Sequence, residues 1–200
     1  LSEGNRTMLR SAAPYARPEI REKLLLAADE RQSYPVLHEI CKDAGTLLGA
    51  TIAFTMIEGG TAFNVMPKKA VLTANVRVPS TETVEEITGK LERAAGKHDL
   101  LCELAGGRGA APESPTDGPG YLAMKASVEE IWPELPVIPF VLGGGTDSRH
   151  FLELTDEVLR FSPMYATPEQ GRGVHGDNEY ASIQAVREAA ECYTVLLKKM

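Results

Sequence analysis

The chain has 200 residues, 43% of them apolar, enough for one large domain or two small ones with real cores. Its net charge of −7 comes without any basic cluster, so nucleic acid and anionic membrane are poor partners, and apolar runs such as VIPFVLGGG fall far short of a membrane span. Cys41, Cys102 and Cys192 are odd in number and widely spaced, and read as reduced, buried small apolar residues of a cytoplasmic protein.

No signal peptide is visible, and the start at Leu1 points to processing or to a fragment. Pro18 opens a helical pattern carrying Ile20, Leu24 and Ala27. Pro35 opens a second carrying Leu37, Ile40, Cys41 and Ala44, which Gly45 ends. The stretch TIAFTMIEGG, rich in β-branched and aromatic residues, predicts a strand stopped by Gly59 and Gly60. In VLTANVRV the residues Leu72, Ala74, Val76 and Val78 alternate with Thr73, Asn75 and Arg77. That is the period of a half-buried strand, and PKK before it predicts a hairpin turn. Val84, Ile87 and Leu91 then repeat at helical spacing behind a Thr83–Glu86 capping box, and DLLCELA predicts one more strand. Residues 46–105 therefore predict an antiparallel sheet with a helix on one side.

The segment GGRGAAPESPTDGPG holds little but glycine, proline and small polar residues, and reads as a crossing between domains. Beyond it, Pro119 starts a helix with Tyr121, Met124, Val128 and Ile131 on one stripe, stopped by Pro133. The wholly apolar VIPFVLGG predicts a strand covered on both faces, and EVLRFSP a short one. A last helix starts near Tyr180, with Ile183, Val186, Ala190, Tyr193 and Leu197 inward. Two strands do not complete a doubly wound domain, so the expectation is a small α+β domain over residues 1–112 and an incomplete α/β part over 113–200.

Two loops leave these apolar strands. GGGTDSRHF stands at the carboxyl end of VIPFVL, the end at which open α/β sheets hold ligands. Its glycines let a backbone approach a ligand, and Arg149 could clamp a carboxylate. Equally, the loop is a glycine turn into a short helix capped by Thr146 or Asp147, with Arg149 solvated. The glycines lack the G-x-G-x-x-G spacing of a nucleotide site.

The second loop, GRGVHGDNEY, sets His175 among glycines and acids. Asp177 and Asn178 suit helix caps and Glu179 a first turn. His175 itself could be a metal ligand, a base or surface. A catalytic zinc takes three protein ligands, yet the other histidines are His38 in a helix, His98 in a polar turn and His150 beside Arg149. No H-x-H or H-E-x-x-H spacing occurs, and the one H-x-D, His175-Gly176-Asp177, holds two residues too near in sequence to make a comfortable chelate by themselves, so a metal bound by His175 needs ligands from outside these residues. Ser148 and Ser162 lack a nucleophile elbow, and the cysteines sit within predicted helices and strands.

The stretch MIEGGTAFNVMPKKAVLTANVRV, followed by TVEEI, resembles the lid, or dimerisation, domain of the di-zinc amidohydrolases of peptidase family M-twenty. GGTDSRHF, LRFSP and VHGDNE resemble, in order, the closing part of that family's catalytic domain, and TDSRHF with RFSP is nearest the carboxypeptidase S-like branch. The resemblance runs from about residue 46 onward. It implies a ferredoxin-like lid that forms a homodimer, a catalytic part binding two zinc ions, and a peptide or N-acyl amino acid as substrate. It further implies that His175 is a zinc ligand and that Asn64 and Arg77 reach substrate from the lid. Gly144, Gly145, Thr146, Asp147, Ser148 and Arg149 would hold the substrate's terminal carboxylate. In the family a zinc pair lowers the pKa of a bridging water, and a glutamate takes its proton.

The family's upstream H-x-D, bridging aspartate, acidic ligand and Glu–Glu pair have no counterpart ahead of the lid in this sequence, nor does the histidine that ends the first lid strand. The expectation is therefore a C-terminal portion of a zinc metallopeptidase or amidohydrolase that cleaves an amide beside a free carboxylate, inactive by itself. Its rivals are a non-catalytic dimerisation module and a small-carboxylate binder built on Arg149 and the glycine loop.

Overall fold

A computed structural model describes residues 1–29, 33–40 and 49–200. They form two compact units: Leu1–Glu113 with Pro139–Gly145, and Ser114–Ile138 with Thr146–Met200.

The first unit begins with three helices: α1 (Glu3–Ala12), α2 (Pro18–Asp29) and α3 (Ser33–Ile40). They close on Leu9, Ala27, Ala28 and Leu37, with Leu1, Met8, Leu24 and Val36 packed around. Ala27 and Ala28 are wholly buried, and side chains that small let the helices approach closely. The residues Cys41, Ala44 and Gly45, expected to finish the third helix, lie outside the described residues.

A remote carboxylate helps to start α1. The Ser2 hydroxyl accepts the Asn5 amide, and Glu113 accepts the Gly4 amide at 2.8 Å and the Ser80 hydroxyl at 2.6 Å. A Cβ on Gly4 would lie 2.6 Å from that carboxylate. Burial pushes the Glu113 carboxyl up, but the hydroxyls of Ser2 and Ser80 and the Gly4 amide together hold it below its ordinary value. A depressed folded pKa adds stability above the unfolded value, and that stability is lost as pH falls through the folded one. Urea unfolding should therefore show an acid-side loss of stability that Glu113→Gln flattens; an unchanged slope in the variant would rule this out.

Strands β1 (Thr51–Gly59) and β2 (Ala70–Arg77) form an antiparallel ribbon, with Thr51 opposite Arg77 and Gly59 opposite Ala70. Both stand where the alternation places them. Phe54 faces Ala74 and Met56 faces Thr73, so Thr55 is an extra residue that bulges the ribbon. Gly60 follows at φ +73°, a conformation that favours glycine. Helix α4 (Val84–Gly96) carries the expected capping box: the Thr83 hydroxyl accepts the Glu86 amide and the Glu86 carboxylate accepts the Thr83 amide. DLLCELA is not a strand. Asp99 turns the chain at φ +55°, and Leu100, Leu101 and Leu104 are exposed with no ladder partner among the described residues.

The second unit packs α5 (Pro119–Ile131) against α7 (Ile183–Lys199), with the short α6 (Pro168–Gly173) between them in sequence. The expected inward face of the last helix is wrong. Ala185, Ala189 and Cys192 are buried, while Ile183 is 73% and Leu197 74% exposed, and Val186 and Tyr193 are exposed too. Helix α5, on which Ser127 and Val128 are buried, packs against this helix, and small buried side chains let two helices approach more closely than a bulky stripe would allow. That helix also starts later than expected: Ser182, not Asp177 or Asn178, caps it by accepting the Ala185 amide.

EVLRFSP and VIPFVLGG are likewise without ladders. The backbone N–H of Val158 donates to the Ser114 hydroxyl, which donates in turn to the Val158 carbonyl, both at 3.0 Å. One hydroxyl thus satisfies what a neighbouring strand otherwise would. Phe140 and Leu142 are exposed, against the expectation of a covered strand. Among the described residues the architecture is α+β, a two-stranded antiparallel sheet with helices. Among the described residues no helix is long and apolar enough to cross a membrane.

Candidate functional site

Asn64, Arg77, Gly144 and Gly145 belong to the first unit, and Thr146, Asp147, Ser148, Arg149 and His175 to the second. Asn64 lies exposed in the turn that joins β1 to β2, where the Val65 amide donates to the Ala62 carbonyl. Arg77 ends β2 on its polar face. Its guanidinium donates to the Gly143 carbonyl at 3.1 Å, and its other donors meet no acceptor among the described residues. The strand end and the glycine loop, far apart in sequence, are thus brought together. A Cβ on Gly143 or Gly144 would meet nothing within 4 Å, so packing does not demand glycine there and the backbone is open to an approaching group.

Thr146 caps a short 3₁₀ helix, Asp147–Phe151, by accepting the Ser148 amide. Ser148 is held from outside the loop, because Arg160 donates through Nε to its hydroxyl at 2.8 Å and to the Thr146 hydroxyl at 3.4 Å. Arg160 was not singled out by the sequence reading. The signal was the order of TDSRHF and RFSP, two motifs that this arginine joins. Asp147 and Arg149 are exposed.

His175 sits in the turn after α6 at φ +63°, exposed, with its backbone N–H donating to the Glu179 carboxylate at 2.9 Å. Glu179 therefore braces the turn from four residues on, and Asn178 at φ +59° completes it. A positive φ costs a residue with a Cβ about 1 kcal/mol or more, so the turn is held against that cost by its own hydrogen bonds. Zinc does not fit the donors present: among the described residues no three His, Cys, Asp or Glu side chains gather where an ion could bind. Cys192 is buried and Cys102 half-buried, and burial pushes the Cys192 thiol up, away from nucleophilic use. Cys41 lies outside the described residues.

Residues 19–100 match the family profile of a peptidase dimerisation domain. An N-fatty-acyl-amino acid synthase/hydrolase of Danio rerio is 32% identical over 158 residues, 78% of this chain and 31% of that protein. A probable carboxypeptidase S-like protein of Dictyostelium discoideum is 26% identical over 149 residues, 74% of this chain and 29% of that protein. The chain thus spans about a third of the length of the curated relatives it matches. The crystal structure of an M20 family metallo-carboxypeptidase from Sulfolobus solfataricus shares the fold, with TM-score 0.59 and 16% identity over 99% of this chain and 45% of that one. The named relatives are hydrolases, and on these matches the chain belongs to peptidase family M-twenty.

Proposed function

We propose that this chain is the lid and the closing catalytic segment of a zinc-dependent amidohydrolase that cleaves an N-acyl amino acid or peptide beside a free carboxylate. In this reading residues 1–112 are the lid and 113–200 the catalytic part. The observation that carries it is Arg77, whose exposed guanidinium is fixed by one bond to the Gly143 carbonyl with its other donors open. A planar, permanently charged fork beside an open glycine backbone suits a carboxylate. Asn64 and the Gly144–Arg149 loop complete the set of residues assigned to substrate. The Danio rerio relative, by its name an N-fatty-acyl-amino acid synthase/hydrolase, supports the same bond and the same carboxylate.

His175 is the one zinc ligand assigned to this chain; the remaining ligands of two zinc ions and the general base belong to the rest of the parent protein. Two copies pair through the lid, a reading supported by the dimerisation-domain match and by the exposed Ile52, Phe54, Met56 and Ile57 of the ribbon. A cytoplasmic location remains the reading from cysteine usage.

The test uses the purified chain dialysed against trace zinc, with His175→Ala alongside. The expected result is less than about one zinc per chain, unchanged by the substitution, and no chelator-sensitive turnover of N-acyl amino acids. In NMR titration N-acetylglycine should shift resonances of the first unit, and Arg77→Ala should weaken that binding about tenfold or more. Zinc near two per chain that is lost in the His175 variant, or turnover by this chain, would overturn the inactivity. Carboxylate binding indifferent to Arg77 would overturn the site.

A further inference from the structure

EVLRFSP has no strand beside it among the described residues, yet it is pinned on both sides of Arg160. Two residues before, Val158 is held through both of its backbone groups by the Ser114 hydroxyl. One residue after, the Phe161 carbonyl accepts the Tyr193 hydroxyl of α7 at 3.0 Å, and the two rings meet edge to face with centroids 6.1 Å apart. The root of the Arg160 side chain is therefore fixed, although the side chain itself is exposed. It reaches the Asp147–Phe151 turn, in the same unit, with its inner nitrogen: Nε donates to the Ser148 hydroxyl at 2.8 Å and more weakly to the Thr146 hydroxyl at 3.4 Å. The Nη groups meet no acceptor among the described residues.

The hydrogens of this cluster follow from its partners. A guanidinium only donates, so Ser148 Oγ is an acceptor toward Arg160. Thr146 Oγ1 accepts the Ser148 amide at 3.3 Å. The two hydroxyls also bond each other, which uses the hydrogen of one of them. In either direction one hydroxyl hydrogen is left over. It stands beside a positive charge, where a further donor is disfavoured and an anionic oxygen is the best partner. Without Arg160 the pair loses that bias, because a hydroxyl free to rotate serves a donor or an acceptor equally.

We infer that Arg160 is a positioning residue: through Ser148 it sets the Thr146–Ser148 hydroxyl pair as a hydrogen-bond donor, and so makes this loop select a carboxylate over its neutral amide. That the pair meets substrate rests on the reading above. That Arg160 orders the pair stands on bonds within the second unit alone.

The experiment uses the full chain and two probes, N-acetylglycine and its neutral counterpart N-acetylglycinamide, followed by NMR shifts of the Thr146, Asp147, Ser148 and Arg149 amides. Before any ligand is added, the Arg160 Nε–H should give a distinct resonance that Ser148→Ala moves into the envelope of solvated arginines. N-acetylglycine should bind with Kd on the order of 10 mM, as its size allows, and the amide at least about fivefold more weakly. Arg160→Ala should bring the two probes to within about twofold of each other. Arg160→Lys should do the same, because lysine keeps the charge but has a methylene where arginine has Nε. In the Ser148→Ala background, adding Arg160→Ala should change either Kd by less than about twofold, since a residue that acts through Ser148 has nothing left to position.

An Nε–H resonance indifferent to Ser148→Ala, selectivity restored by lysine, or losses that add in the double variant would each overturn the positioning role. If neither probe shifts the loop of the native chain, the assignment of Thr146 and Ser148 to substrate falls, and the selectivity with it. Selectivity that survives Arg160→Ala removes the role of Arg160 and leaves that assignment standing.

Discussion

Leu9→Ala is expected to destabilise the first unit by about 3 kcal/mol, seen as a lowered urea midpoint with the slope unchanged. Leu9 is 4% exposed and lies among Ala27, Ala28 and Leu37, where α1, α2 and α3 meet. The two alanines have no further side chain with which to fill the space that a truncated leucine leaves, so the cavity term adds to the lost transfer energy. Leu25→Ala serves as the control, since Leu25 stands on α2 but is exposed, and should cost under about 1 kcal/mol. Equal costs for the two would mean that this three-helix cluster is not where the first unit draws its stability.

Glu157→Ala should cost the second unit about 2 kcal/mol. Helix α5 begins at Gly118 and Pro119, so its N-terminus has no side-chain cap of its own. The Glu157 carboxylate supplies one from 36 residues away: it accepts the Tyr121 amide at 2.7 Å and the Gly120 amide at 3.1 Å. It also places a negative charge at the positive end of the helix dipole. A Cβ at Gly118 would lie 2.7 Å from the same carboxylate. Gly118→Ser should therefore be unfavourable in the native chain yet stabilising in the Glu157→Ala background, where the space is free and serine caps locally. The reversal of sign is the test, and a Gly118→Ser effect of the same sign in both backgrounds would show that Glu157 does not cap this helix. Glu157→Gln, which keeps an acceptor but not the charge, should fall between.

These two sites show where local pattern ends. The Thr83–Glu86 capping box, the alternation of VLTANVRV and the stripe of Tyr121, Met124 and Val128 were legible because each determinant lies within four residues of the next. The carboxylates that start α1 and α5 were not, because Glu113 and Glu157 act on amides far away in the chain, and nothing in a glycine start announces its partner. The last helix misled for a related reason. Hydrophobicity marks Ile183, Val186, Tyr193 and Leu197 as a face, yet burial went to Ala185, Ala189 and Cys192, since the separation of two helices is set by the smallest residues between them.

The candidate site divides in the same way. The residues Asn64, Arg77, Gly144 to Arg149 and His175 were picked out by motif order, a property of the sequence alone. That Arg77 meets the Gly143 carbonyl and that Arg160 ties Ser148 are contacts across 66 and 12 residues of chain. By itself, then, the sequence determined the family, the hairpin and the presence of helices α2, α4, α5 and α7, because those follow from short-range periodicity and from the order of motifs. Only the tertiary structure decided the fate of DLLCELA, VIPFVL and EVLRFSP. A strand exists by virtue of a hydrogen-bonding neighbour, and β propensity without that neighbour leaves an extended segment to find other partners, as Val158 finds Ser114.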